Sequence, residues 1–351
     1  MTLIAHVDMD CFFCSCEERD DKTLANKPFA IGQAGTRGVI SSANYLARTY
    51  GIHAAMPVFK AKTQCKELVI VEGNFRKYSI ISRQIMQQLA LLSPRFYQAS
   101  IDEAYVDISH LFSRFNSLEE IGNHVKEVVR ASSQISCSVG IASCALTAKI
   151  ACASNKPAGV TVVTKQREFL SPLDISVMPG IGKQLAKNMR SKGIQSLGDL
   201  GRCAPIRIKE WFGERALYFW QIVRAEKETD IPRTKKPRSV SKEQTFLSDT
   251  KEVTVLLAEI RHLAKEVSAR LGKKFFRTIA IKIKYGDFTT ITREETVRYA
   301  TNSQDALVTS ACKLFYVHYD RKRFVRLVGV KAGNIDYEAS LQTTLDIFMK
   351  R

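Results

Sequence analysis

Carboxylates at the ends of apolar, strand-like stretches constrain this chain more than any other feature. Two such stretches, Leu3-Ile-Ala-His-Val-Asp-Met-Asp10 and Ala99-Ser-Ile-Asp-Glu-Ala-Tyr-Val-Asp107, place Asp8 and the adjacent pair Asp102 and Glu103 where a sheet would bring them together. Close anions in a dry sheet are strongly unfavourable unless they are protonated, paired or bound to a cation. Hard oxygen ligands supplied by two strands favour Mg2+ or Mn2+. An ordinary solvated turn is the alternative reading for any single aspartate among them.

Other polar groups fit the same site. Asn44-Tyr-Leu-Ala-Arg48, followed by Gly51, lies between the acidic stretches, and Asn155-Lys-Pro-Ala-Gly159 follows the second. Together they offer a phenol, a guanidinium and an ammonium, the groups that grip a triphosphate.

At 351 residues the chain has room for two to four domains. No apolar run approaches the roughly 20 residues needed to span a bilayer, and no basic leader precedes an apolar segment, so the cytoplasm is the expected compartment. The nine cysteines then read as reduced thiols. Cys11 and Cys14 form half of a zinc site, but no second Cys or His pair stands at suitable spacing; with Cys16 they read as packing groups on a first helix.

The net charge of +18 is unevenly placed. Residues 1–165 hold 18 Lys+Arg against 14 Asp+Glu, or +4, while residues 166–351 hold 35 against 21, or +14. A nearly balanced half joined to a strongly basic one suits an enzyme that holds a polyanion with accessory domains. With no amphipathic membrane anchor in view, nucleic acid is the expected polyanion.

Periodicity predicts strands at 3–8, 28–32, 96–108 and 136–142 and helices at 42–50, 74–92, 118–132 and 144–154, an α+β domain around a central sheet. Residues 166–230 read as helical. There Gly180 and Gly182 permit a tight turn before a helix starting at Lys183, whose outward N–H groups would cradle a DNA phosphate; a plain glycine-rich turn between helices is the alternative. Residues 229–240, with Pro232, Pro237 and several basic residues, read as an extended linker. A last domain follows, with strands at 240–246, 276–284, 289–298 and 324–332 and helices at 251–271 and 303–317. Residues 233–284 hold 14 Lys+Arg against 5 Asp+Glu.

Asp8-Met-Asp-Cys-Phe-Phe13, Gly38-Val-Ile-Ser-Ser-Ala-Asn-Tyr-Leu-Ala-Arg48, Ser100-Ile-Asp-Glu-Ala-Tyr105, Ser138-Val-Gly-Ile-Ala142, Lys149-Ile-Ala151 and Asn155-Lys-Pro-Ala-Gly159 together resemble the Y-family DNA polymerases, and within them the DinB branch. The motifs stand in family order across residues 3–165, with weaker similarity to about residue 335. The resemblance implies a right-hand polymerase: a palm of residues 1–10 and 73–165, small fingers at 11–72, a helical thumb with a helix-hairpin-helix at 166–230, a linker at 231–240, an α/β little finger at 241–339 and a tail at 340–351. The implied activity is low-fidelity, template-directed translesion synthesis from dNTPs on a primer 3′-hydroxyl, without proofreading, since no segment resembles an exonuclease.

Residue by residue, the resemblance implies that Asp8, Asp102, Glu103 and the main-chain carbonyl of Met9 hold two Mg2+ ions, with Mn2+ as a substitute. Tyr45, Arg48 and Lys156, with the amides of Phe12 and Phe13, would hold the triphosphate. Phe13 would be the steric gate against a 2′-hydroxyl, and the small residues Val39, Ser41 and Ala55 a loose lid over the nascent base pair. Asp10 and Asp107 read as structural acids. Gly180, Gly182 and Lys183 would touch the DNA backbone. In the tail, Gln342, Leu345, Ile347 and Phe348 resemble a sliding-clamp-binding peptide, an amphipathic turn folded onto the little finger being the alternative. The expected partners are primer-template DNA, dNTP and a bacterial clamp, the expected state a monomer. A catalytically silent DNA-binding protein would not need both the acids and the triphosphate groups; a nucleotide cyclase would have no duplex for the basic domains to hold.

Overall fold

The computed structural model describes residues 2–33, 35, 37–227, 229–232 and 236–336. The chain divides into two compact units, residues 1–234 and 235–351.

The first unit is organised on a five-stranded sheet of order β5-β6-β1-β7-β8. Its central strand, β1 (Ile4–Met9), is buried at every position except Asp8, which is half-buried. A small sheet lies next in sequence, with β2 (Phe29–Gly32) between β3 (Ile40–Ala43) and β4 (Val69–Val71). It carries the short helices α2 (Tyr45–Thr49) and α3 (Val58–Gln64), and α1 (Phe12–Asp20) joins it to β1. The main sheet resumes with β5 (Phe96–Gln98), β6 (Glu103–Asp107), β7 (Cys137–Ala142) and β8 (Val160–Val162). β6 and β7 flank β1 in antiparallel register, and β8 runs parallel to β7.

Alternation along β1 divides its neighbours between two faces. Ala5, Val7 and Met9 point into a core with α4 (Phe75–Leu92) and α5 (Leu118–Ser133). In α4 Tyr78, Ile81, Ile85 and Leu89 recur at three- and four-residue spacing and in α5 so do Ile121, Val125 and Val129, the amphipathic pattern that seats a helix on a sheet. Ser117 caps α5 by accepting from Glu120 N at 3.1 Å. Ile4 and His6 point to the opposite face, toward α6 (Ala145–Ser154). That helix approaches closely because Gly140 has no side chain: a Cβ there would lie 2.1 Å from the Ala148 carbonyl and 2.3 Å from Cys152 N.

After the main sheet, α7 (Gln166–Leu170), α8 (Lys183–Arg190), α9 (Leu197–Arg202), α10 (Pro205–Phe212) and α11 (Glu214–Val223) build a second core around Leu170, Ile181, Leu200 and Phe219, which Cys144 and Ile150 at α6 join. The second unit is one antiparallel sheet, β11-β10-β12-β9, formed by β9 (Ser239–Thr250), β10 (Phe276–Tyr285), β11 (Thr290–Thr301) and β12 (Val325–Gly333). α12 (Val253–Leu271) and α13 (Gln304–His318) bury Ile260, Val267, Leu307 and Phe315 against Ile279, Ile281 and Ile283.

Two sequence expectations change. The single strand expected over 96–108 is a hairpin of β5 and β6, interrupted at 99–102 where Ala99 N and Ser100 N both donate to the Glu103 carbonyl. The helix expected over 42–50 starts at Tyr45, because residues 40–43 pair with β2. The zinc-like cysteines pack apart: Cys16 in the main core, Cys14 with Leu24, Phe29 and Ile31.

The close approach at Gly140 is testable. Gly140→Ala would force α6 away from β7, and urea denaturation should show a loss of about 3 kcal/mol. Unchanged stability would mean that the helix can shift freely.

Candidate active site

The register of three strands brings the acids together. Asp8 lies directly opposite Glu103 across β1 and β6 and opposite Ser138 across β1 and β7. Met9 N donates to the Asp102 carbonyl at 3.0 Å, fixing the hairpin end beside β1. Alternation puts Asp8 and Glu103 on the face that α6 covers. From that helix Lys149 Nζ donates to both oxygens of Glu103, at 2.7 and 2.6 Å, and from the loop after it Lys156 Nζ donates to Asp8. Asp102 accepts from the Ser100 hydroxyl.

Lys156 is placed by Asp10. That carboxylate is 1% exposed and accepts from Ser138 Oγ at 2.8 Å, Ser136 Oγ at 2.9 Å, Ala158 N at 2.9 Å and Tyr45 OH at 3.3 Å. It thereby ties the segment Lys156-Pro-Ala158 and the start of α2 to the end of the sheet. Burial, then the charge of Asp10, pushes the Tyr45 phenol up, so Tyr45 remains a proton donor. Asp107 sits at the other end of β6, held by Arg95 at 2.7 Å and by Ser109.

A cleft of about 400 Å3 opens over this centre, lined by Asp8, Met9, Phe12, Phe13, Ser41, Arg48, Asp102 and Lys156 among others. Arg48 anchors its Nε on the Ala43 carbonyl at 2.9 Å and lies 4.9 Å over the Tyr45 ring. Phe13 stacks on Tyr78 with centroids 4.6 Å apart, and Phe75 meets its ring edge to face at 5.5 Å. Tyr78 is fixed in turn by its hydroxyl on Glu17, at 2.6 Å. Val39 is exposed and bridges Pro57, whereas Ala55 donates its N–H to the Ile40 carbonyl and leaves the cleft wall to Ala54 and His53. Gly180 adopts φ +105°, a conformation that favours glycine, and Gly182 caps α8 with open space where its Cβ would be. Lys183 is the first residue of that helix and is exposed. Gln342, Leu345, Ile347 and Phe348 lie outside the described residues.

Among the described residues no three His, Cys, Asp or Glu side chains are drawn into a cluster that could hold a metal ion; Asp8 and Glu103 each face an ammonium instead. The donor set nevertheless fits a hard divalent cation, because its ligands are carboxylate oxygens from adjoining strands and cationic charge already stands against two of them. Burial raises the Asp8 carboxyl to about 6; Lys156 offsets this only in part, and Glu103 and Asp102 add to it. Glu103 is held below its ordinary range: burial would raise it, but the hydrogen bonds and charge of Lys149 outweigh that.

Sequence reasoning gave no role to three of these residues. Tyr78 looks like any core aromatic until its ring is seen under Phe13. His6, 1% exposed and with neither ring nitrogen hydrogen-bonded, is silent in a strand pattern. Lys149 did carry a signal, since it is the single charge in the helix Ala-Leu-Thr-Ala-Lys-Ile-Ala-Cys-Ala-Ser.

The raised Asp8 predicts a stability gain on neutralising it. Ionising this folded carboxyl costs stability, an effect absent below about pH 4 and fully present above about pH 6. His6, lowered to about 3 chiefly by burial and then by Lys149, has the opposite slope: its unfolded form takes up a proton as pH falls below 6.5. Comparing Asp8→Asn with the parent cancels the His6 contribution. In chelator at about pH 7.5 the variant should be more stable by about 2 kcal/mol, the gain fading toward pH 4 in urea titrations. A less stable variant at neutral pH would show that the Lys156 pair outweighs burial.

Comparison with known proteins agrees with this geometry. Residues 7–153 match the impB/mucB/samB family and residues 237–345 the C-terminal domain of that family. DNA polymerase IV of Dehalococcoides mccartyi is 36% identical over 333 residues, covering 93% of this chain and 85% of the relative. DNA polymerase IV of Staphylococcus aureus is 31% identical over 351 residues, 99% of each. Among solved structures, a Y-family DNA polymerase chimera superposes with a TM-score of 0.88 at 27% identity, over 96% of this chain and 100% of the other. DinB from Sulfolobus solfataricus gives 0.63 at 28%, over 95% and 99%. With two acids, an ammonium, a guanidinium and Phe13 lining one cleft, and with relatives matching nearly end to end, the chain belongs to the Y-family DNA polymerases of the DinB type and is a DNA-directed DNA polymerase of translesion synthesis.

Proposed function

We propose that the cleft transfers a nucleotidyl group from a dNTP to a templated primer 3′-hydroxyl, with low fidelity and no proofreading step of its own. The observation that carries this reading is the convergence of Asp8, Asp102, Phe13, Arg48 and Lys156 on one cleft, with Glu103 facing Asp8. Held by Asp8, Asp102, Glu103 and the Met9 carbonyl, two Mg2+ ions, or Mn2+ in their place, would supply Lewis-acid activation of the 3′-hydroxyl and of the departing pyrophosphate.

The protein's own groups supply position and charge. Arg48, its Nε fixed on Ala43, presents a rigid fork to phosphate oxygens. Lys156 at the cleft floor takes up charge shifting onto the β- and γ-phosphates, and the Tyr45 hydroxyl and the amides of Phe12 and Phe13 add donors. Phe13, braced by Tyr78, would lie under the sugar and clash with a 2′-hydroxyl. Ser41 and Ala54 on the cleft wall, with Val39 and Ala55 outside it, would leave little bulk above the base pair, so a distorted template base is admitted at the expense of shape selection.

The remaining domains hold DNA in this reading. Gly182 and Lys183 offer backbone N–H groups and a charge to a phosphate. In the second unit, alternation places Lys282 and Lys284 on the sheet face opposite Ile281 and Ile283. The tail, through Gln342, Leu345, Ile347 and Phe348, would tether the enzyme to a sliding clamp and raise its concentration at primer ends. The enzyme would act as a monomer in the cytoplasm.

Primer extension tests the assignment. Asp8→Asn, Asp102→Asn and Glu103→Gln should each abolish nucleotide addition and leave primer-template binding nearly intact; near-normal turnover would remove that residue from the ligand set. Phe13→Ala should incorporate ribonucleotides far more readily with a smaller loss of deoxynucleotide activity. Equal sugar discrimination in variant and parent would return Phe13 to a packing role.

A further inference from the structure

Lys149-Ile-Ala151 is the motif that neither the triphosphate contacts nor the acids account for. Lys149 is the one charged residue of α6, and its Nζ bonds both oxygens of Glu103, at 2.7 and 2.6 Å. The fold is shaped to make this contact: Gly140 lets α6 lie against β7, where a Cβ would meet the Ala148 carbonyl at 2.1 Å. On the buried flank of Glu103 stands His6, its Nε2 4.0 Å from Glu103 Oε2 and neither ring nitrogen hydrogen-bonded. His6 sits across the strands from Tyr105 and Gly140, and among the described residues Lys149 is the one Lys or Arg paired with Glu103. Lys156 stands against Asp8 in the same way, but its loop lines the open cleft, whereas Lys149 comes from a helix packed on the sheet.

We propose that Lys149 is a resident counter-ion for Glu103, a positioning residue that keeps this carboxylate neutralised and oriented until a divalent cation takes over the charge. The inference rests on Glu103 being a metal ligand. Ammonium and metal ion then compete for one carboxylate, and removing the ammonium has opposite effects on the two states. Without metal, a partly buried carboxylate is left uncompensated and the fold weakens. With metal, that loss is recovered, and the ion binds more tightly because its competitor is gone.

The test uses the full-length chain with Mn2+ alone, following thermal denaturation in chelator and in excess Mn2+, and Mn2+ binding by calorimetry. Lys149→Met should lower the metal-free Tm by about 3 to 6 °C, recover most of that in Mn2+, and bind Mn2+ about tenfold more tightly. Lys149→Met combined with Glu103→Gln removes both charges; it should regain metal-free stability and lose the Mn2+ rescue, which separates charge compensation from a folding defect. An equal Tm loss with and without Mn2+, or weaker Mn2+ binding in Lys149→Met, would overturn the counter-ion role while leaving the ligand assignment intact. Glu103→Gln alone serves as the control for that assignment: Mn2+ binding equal to the parent would remove Glu103 from the metal site, and this proposal with it.

Discussion

Asp10 holds the site together, although it takes no part in the proposed chemistry. A carboxylate buried to 1% exposure requires donors, and here four come from three separate segments of the chain: Ser136 and Ser138 at the start of β7, Ala158 N, and Tyr45. Each hydrogen bond draws one segment to the end of β1. As a result Lys156 reaches Asp8, Arg48 stands at the cleft with Tyr45 behind it on Asp10, and Asp8, two residues back, keeps its half-exposed place opposite Glu103. The fully bonded acid, Asp10, is the one the sheet covers, and the half-exposed acid, Asp8, is the one proposed to bind metal.

The acids at this strand end are balanced by charge already present in the protein. Carboxylates at one strand end repel one another, Glu103 and Asp102 both adding to the rise at Asp8, and such repulsion weakens the fold. Two ammoniums, carried on different elements, prevent most of that: Lys149 from α6 and Lys156 from the loop before β8. The balance is incomplete at Asp8, which burial still raises to about 6. Residual strain of this kind is common where a protein must bind ions or substrate, because a fully satisfied site would have nothing to gain from them.

The helical stretch and the second unit follow simpler rules. Their cores are built from amphipathic helices, with the second unit's pair laid on one face of an antiparallel sheet. The positive charge is left to solvent-facing positions, where it costs little and serves attraction over distance. Several of those cations are partly spoken for, Lys282 by Glu243 and Lys331 by Glu294, so the field near the sheet is smaller than a count of basic residues implies.

The long elements were legible from residue type alone. β1, α4, α5, α12 and the strands of the second unit were expected within a few residues, because a run of buried positions or a sustained helical period leaves few other arrangements. The family motifs likewise marked Asp8, Asp102, Glu103, Arg48 and Lys156, since few chemistries need those groups in that order. The short strands β3, β4 and β8 were not read, because three or four residues carry no period and their pairing partners lie far away in sequence. The turn at 99–102, the stack of Tyr78 under Phe13 and the grip of Lys149 on Glu103 were decided only in three dimensions. The turn closes on its own Glu103 carbonyl and is pinned to β1 by Met9 N, while the other two depend on contacts between segments tens of residues apart; a one-dimensional pattern records which residues can make such a contact but not which of them meet.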